Sequence, residues 1–268
     1  MNYYLDTEFH EYHKPKTICG IKTSKTIPTI DLISIGIVAE DGRAYYAVSK
    51  EFDIDAAWNS LQVKGKIKLH WLRDNVLKPI NRDFYLQHSQ FNIKLDDGDM
   101  HEKIISSLSM LKQFINEYGK SRKQIAQEII EFVQHYKFDD ACADGDRYDS
   151  SFGNGINNTY YYIKQRTKSD IRIGTSKSID APQFYGYFSA YDWVVFCQLF
   201  GTMINLPDGY PWYCHDLIYM LDNTIQQKYK VISKHVSTWD GYPAKTNEHN
   251  AISDAEWNKK LHNFIRTI

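Results

Sequence analysis

The stretch TIDLISIGIVAEDGRAYYAVSKEF, residues 29–52, limits the fold more than any other part of this chain. Ile30 and the run from Leu32 to Val38 are β-rich, Asp41-Gly42 is a turn signal, and Ala44 to Val48 returns, which together predict a hairpin. Residues 2–9 read as a strand before it, so the chain opens with three antiparallel strands. Helical patterns interleave with short strands afterwards. A sheet made early and covered by later helices predicts an α/β fold.

Trp58 to Leu77 reads as a helix ended by Pro79, and a second helix is predicted over about 101–117. SRKQIAQEIIEFVQHY is a clearer helix: Ser121 and Gln124 form a capping-box pattern, and Ile125, Ile129, Phe132 and Val133 make an apolar stripe. Residues 139–182, rich in Gly, Asn, Ser and Asp, read as a long loop or small subdomain inserted between elements. FYGYFSAYDWVVFCQLFGTM predicts strand, turn and helix, with Ser189 as N-cap and Asp192 in the first turn, where the helix dipole favours a carboxylate. YPWYCHDLIYMLDNTI reads as a short strand entering a helix. EHNAISDAEWNKKLHNFIRTI is a polar loop feeding a last helix, capped by Ser253 and Glu256, with Trp257, Leu261, Phe264 and Ile265 on its buried side.

With 268 residues, 43% of them hydrophobic and 15% aromatic, the chain has ample material for a core and little scope for disorder over most of its length. A formal net charge of −1 gives no global basic field, so any nucleic-acid contact must come from local patches. Cys19, Cys142, Cys197 and Cys214 are scattered without a CxxC pair and read as free thiols of a reducing compartment. Charges interrupt every apolar run well short of membrane-spanning length, and no signal-peptide pattern opens the chain, so a soluble cytoplasmic protein is expected.

Within YLDTEF, Asp6 and Glu8 flank Thr7 and therefore point to the same side of a strand, where like charges repel unless something lies between them. A half-exposed edge strand is one reading, and a bound divalent cation with hard oxygen ligands is the other. Three further polar residues stand at element ends: Asp192, Asp254, and His249 five residues before Asp254 in the loop leading to the same helix. Taken singly, each reads as a helix-terminal charge or a solvated loop histidine.

Taken in order, D-x-E near the N-terminus, an Asp after YFSAYDW and H-x-x-x-x-D near the C-terminus resemble the DEDDh group of 3′–5′ exonucleases. YLDTEF, IDLISIGIVAEDGRAYYAVSKEFD, WLRDNVL, YDWVVFCQLFGTMINLP, YCHDL and EHNAISDA are similar to its bacterial and phage branch, typified by a mycobacterial-type exoribonuclease. The resemblance covers roughly residues 1–80, 121–136 and 183–268. It implies one RNase H-like domain over 1–268, a mixed β-sheet flanked by helices, with insertions at about 80–120 and 139–182. It also implies two Mg²⁺ or Mn²⁺ ions held by Asp6, Glu8, Asp192 and Asp254, with His249 taking a proton from the attacking water. That chemistry suits phosphodiester hydrolysis, which needs an activated water and relief of charge on phosphate and leaving oxygen. The substrate implied is a nucleic-acid 3′ end, RNA before DNA, released as nucleoside 5′-monophosphates; a homodimer is compatible with this.

Substrate contacts are expected from Thr7 and Phe9, the latter placed either to stack on a terminal base or to pack in the core. The insert YYYIKQRTKSDIRIGTSKS interleaves Tyr160 to Tyr162 with Lys164, Arg166, Lys168, Arg172 and Lys177, either a strand-binding footprint or a solvated hairpin. Trp193 reads as core, Asp216 as a helix cap or an outer support of the site, and Cys214-His215 as structural. Two other functions use the same residues: a phosphohydrolase acting on nucleotide-containing small molecules or RNA caps, and a catalytically silent nucleic-acid-binding module.

Overall fold

The structure is a computed structural model describing residues 1–18, 20–65, 67–88, 103–141, 181–229 and 233–268. Its centre is a five-stranded mixed sheet in which the third, second and first strands lie in that order, followed by two later ones. Three strands come first, β1 (Asn2–Ile18), β2 (Ile21–Ala39) and β3 (Ala44–Val48), and all pair antiparallel as expected. Gly42, at φ 97, closes the β2–β3 turn, a left-handed conformation that glycine adopts without steric cost. β6 (Gln183–Gly186) and β7 (His215–Asp216) then add parallel to β1. A mixed sheet flanked by helices is compatible with an RNase H-like fold.

The helices are α1 (Ile54–Trp58), α2 (Lys78–His88), α3 (Leu108–Tyr118), α4 (Arg122–Ala141), α5 (Ala190–Leu199), α6 (Leu217–Tyr229) and α7 (Ala251–Thr267). Tyr3 and its neighbour Phe184 on β6 face α5, where Phe184 packs with Trp193 and Phe196 at ring separations of 5.4 and 5.2 Å. Tyr4 faces the other way and donates or accepts at His262 Nδ1 of α7, 2.9 Å off. On that side α6 and α7 share a core of Leu217, Leu221, Ile225, Trp257, Leu261 and Phe264. A second core joins Ile33 and Val48 of the sheet to Trp58, Val76, Leu77, Ile80 and Phe84, and to Leu111 and Ile115 of α3. Two compact units are distinguished, residues 1–131 with 181–268, and residues 132–180.

Several expectations need correction. The first strand does not stop at residue 9; it runs to Ile18, and β2 begins at Ile21, because a two-stranded ribbon open to water needs no apolar alternation. Trp58–Leu77 is not one helix. α1 ends at Trp58, and a small hairpin follows, β4 (Gln62–Lys64) and β5 (Ile67–Leu69), turned by Gly65 at φ 64. Pro79 does not end a helix either. It lies in the first turn of α2, just after a π-helical turn at Arg73–Leu77, where a missing N–H and a widened hydrogen-bond step are tolerated.

Ser189 occupies the cap of α5, but its side chain makes no capping bond; at φ −69, ψ 2 it lacks the extended geometry that aims the oxygen at the helix amides. Ser253 and Glu256 do not cap α7. Asn250 does, in extended geometry, its Oδ1 accepting from Ser253 N at 3.2 Å. The helices predicted near 101–117 and from Ser121 onward are present, and Gln124 N donates to Ser121 Oγ at 3.2 Å.

Candidate functional site

The site begins where β1 loses its parallel neighbour. β6 pairs with β1 only from Asn2 to Tyr4, so the Leu5 carbonyl and the Thr7 amide on that edge have no strand to bond. Buried backbone groups need partners, and side chains from two helices provide them. Asn258 Nδ2 of α7 donates to Leu5 O at 2.9 Å, and Thr7 N donates to Asp192 Oδ1 of α5 at 3.0 Å. The Thr7 hydroxyl donates to the same oxygen at 2.6 Å. Asp192 is thus fixed by one oxygen at the strand edge.

Asp6 and Glu8 share the other side of β1, facing α7. The residue paired with Asp6 is Gly36 of β2. A β-carbon there would lie 2.3 Å from the Ala251 carbonyl oxygen, so only glycine lets the N-terminus of α7 rest on the sheet backbone. Asp254, in the first turn of that helix, is delivered to Asp6 and Glu8. Carboxylate oxygens of Asp6, Glu8 and Asp254 lie within 4.8 Å of one another. Glu8 and Asp254 are 9% and 6% exposed, so three like charges crowd a site with little water to screen them.

The electrostatics follow. Burial, then repulsion from Asp192, Glu8 and Asp254, holds the Asp6 carboxyl far above the usual carboxylate range. Burial and the charges of Asp254 and Asp192 push Glu8 up to about 8. Asp192 is raised to about 6 by burial, against the lowering effect of its Thr7 hydrogen bonds. Lys245 opposes the crowding: its Nζ lies 3.1 Å from Asp254 Oδ1 and its charge lowers both Asp6 and Glu8. The same ammonium stands 4.7 Å above the centre of the Trp257 ring.

His249 is half-buried in the loop before α7. Its backbone is left-handed at φ 64, and its N–H donates to Asp254 Oδ2 at 2.9 Å. Its ring meets the edge of Trp71 at 4.6 Å between centroids, an arrangement unlike a solvated histidine. On the opposite side of β1, Phe9 stacks on Tyr191 at 5.9 Å, with Tyr191 52% exposed. A register shift between Glu8 and Phe9 marks a bulge where the two strands pass the carboxylates.

Asp6, Glu8 and Asp254 therefore converge, Asp192 and His249 adjoin them through Thr7 and the Asp254 carboxylate, and Phe9 flanks them beside Tyr191. Lys164 and Arg166, with the tyrosines and cations around them, lie outside the described residues. Asp216 accepts from Phe188 N and Ile218 N, both at 3.1 Å, and caps the start of α6. Reading the sequence missed Lys245, Trp71 and Gly36. A lone lysine in a polar loop carries no pattern, whereas a glycine inside an apolar strand is a signal of close backbone approach.

Comparison with known proteins gives a matching direction. The chain is 27% identical over 217 residues to two proteins named 3′-5′ exoribonuclease from Mycobacterium tuberculosis, strains CDC 1551 / Oshkosh and ATCC 25618 / H37Rv. The alignment covers 81% of this chain and 71% of each relative. That similarity is distant. No family model matches the chain. Among the described residues, no helix is long and apolar enough to cross a membrane.

Proposed function

We propose that the chain is a metal-dependent 3′–5′ exonuclease of the DEDDh type, acting on RNA before DNA and releasing nucleoside 5′-monophosphates. One observation carries this reading: three carboxylates from β1 and α7 with oxygens inside 4.8 Å, two of them almost covered. Uncompensated, such a cluster destabilises the fold. Its donors are all hard oxygens, which suit Mg²⁺ or Mn²⁺ and not a thiolate-seeking ion.

Asp6, Glu8 and Asp254 would hold two such ions, together with the Asp192 oxygen that Thr7 leaves free. When bound, the ions neutralise phosphate charge and make water acidic enough to attack near neutral pH. His249 accepts the water's proton at a ring nitrogen, and the ring's contact with Trp71 orients it. Phe9 and Tyr191 offer an aromatic face for the terminal base. Thr7 acts through Asp192, since its hydroxyl is engaged there. The similarity to two proteins named exoribonucleases supports the choice of substrate.

The test is digestion of 5′-labelled single-stranded RNA and DNA with Mg²⁺ or Mn²⁺, resolved by product length. A ladder that shortens from the 3′ end, with a slower rate once the 3′-hydroxyl is blocked, is the expected result. Internal cleavage of a circular strand, or no cleavage with either metal, overturns the proposal.

A further inference from the structure

We propose that the β1–β2 ribbon beyond the sheet is a phosphate-binding arm for the nucleic-acid strand whose 3′ end enters the acidic centre. The inference rests on the proposed nuclease reading and specifies where the rest of the substrate runs.

β1 and β2 stay paired from Glu11–Ile30 to Ile18–Ile21, long after the other strands have ended. At about 3.3 Å per residue, the ribbon reaches roughly 25 Å past His10. Most described side chains along it are exposed, Tyr12, Thr23, Thr29 and Ile30 being half-buried. A ribbon with so little of its surface against a core gains little stability by burial, so its composition reflects another constraint. Its charge is one-sided: Lys14, Lys16 and Lys25 are exposed, His13 is exposed beside them, and Glu11 is the single acidic residue between 11 and 29. This stands out against a whole-chain charge of −1.

Pro15 and Pro28 stand in the two strands of the ribbon, where a residue without an N–H already blunts an edge. The lysines are not committed elsewhere. Among the described residues no carboxylate lies within salt-bridge distance of Lys14, Lys16 or Lys25.

Continuity with the centre selects the occupant. Asp6, Glu8, His10, Tyr12 and Lys14 alternate along the same strand, His10 and Tyr12 stacking at 4.4 Å on one side of it, while a register shift between Pro15 and Thr17 interrupts the ladder at Lys16. The strand thus carries metal-type acids at one end and free cations at the other. Lys14 lies six residues beyond Glu8, roughly 20 Å along β1. With phosphates advancing about 3.4 Å per step along a helical strand, that is some six nucleotides from the reacting bond. A polyanion whose terminus sits among bound metals would cross these lysines; a mononucleotide or dinucleotide would not reach them.

The experiment compares wild type with Lys14→Gln/Lys16→Gln/Lys25→Gln, and with the corresponding triple Arg variant. Binding of a fluorescent 20-nucleotide single strand is measured in Ca²⁺ across a salt series, and hydrolysis of that strand and of a dinucleotide is followed in Mn²⁺. The Gln variant should bind the long strand about tenfold more weakly at low salt, with a log–log salt slope shallower by about 2 for three lost contacts. The Arg variant should match wild type, and dinucleotide hydrolysis should be unchanged in both. Unaltered affinity and slope in the Gln variant overturn the arm while leaving the nuclease reading intact. So does an equal loss on the dinucleotide, which makes the ribbon structural. If wild type neither binds nor cleaves any strand, both readings fall. Loss of binding to anionic vesicles with oligonucleotide affinity retained reassigns the lysines to a lipid surface and overturns the arm.

Discussion

Gly36 and Ala251 approach so closely that a single methyl group between them would sit 2.3 Å from the Ala251 carbonyl oxygen. This contact sets how near Asp254 comes to Asp6. Gly36→Ala should therefore push the start of α7 off the sheet, with a stability loss of about 1–3 kcal/mol typical of overpacking. Metal-dependent turnover should fall further than stability does, since displaced Asp254 no longer converges with Asp6 and Glu8. Denaturant unfolding beside a metal titration of turnover checks this; full activity in a destabilised variant contradicts it.

The raised carboxyl of Glu8 sets a pH dependence with a definite sign. Its folded value of about 8 lies above its ordinary 4.5, so the folded state holds this proton more tightly than the unfolded chain. Without metal, stability is then greatest below 4.5 as far as this group is concerned, and falls as pH rises toward about 8. Divalent cations displace that proton, so the thermal shift they produce should grow across the same window. Glu8→Gln should flatten both trends, gain stability without metal, and lose turnover. Scanning calorimetry with EDTA and with Mn²⁺ reads all of it, and a shift that shrinks with rising pH would count against the assignment.

Lys245 occupies the position of an internal counter-ion to Asp254. Lys245→Ala should destabilise the metal-free protein and tighten Mn²⁺ binding, because the cation no longer competes with an ammonium. Isothermal titration without substrate distinguishes this from a lysine that only packs on Trp257, whose loss would leave the metal affinity unchanged.

His249→Ala should lower turnover by roughly 10²- to 10⁴-fold, the usual worth of a positioned base, with little change in metal affinity. Trp71→Ala should produce a smaller loss in the same direction by releasing the ring. Near wild-type turnover in His249→Ala would move the proton acceptor elsewhere.

The opening strands and the acidic residues were legible because their signals are local: an Asp-Gly turn between β-rich runs, and two carboxylates at alternate positions of one strand. The resemblance to an exonuclease motif order added Asp192, His249 and Asp254, which no local pattern joins. What escaped was set by distant partners. Trp58–Leu77 carries helical spacing yet contains the β4–β5 hairpin, since Gly65 turns left-handed. Asn250 caps α7 in place of Ser253 because the helix must start early enough to lie on Gly36. Lys245 and Trp71 reach the site by tertiary packing alone.

The brevity of β6 has a consequence for any variant at Asp192. Where the parallel strand stops, the Thr7 amide is satisfied only by that carboxylate. Removing it leaves a strand edge with a bare donor, the feature through which proteins zip onto one another. Asp192→Ala should then be not just inactive but adhesive, forming concentration-dependent oligomers that Asp192→Asn, which keeps an acceptor oxygen, does not.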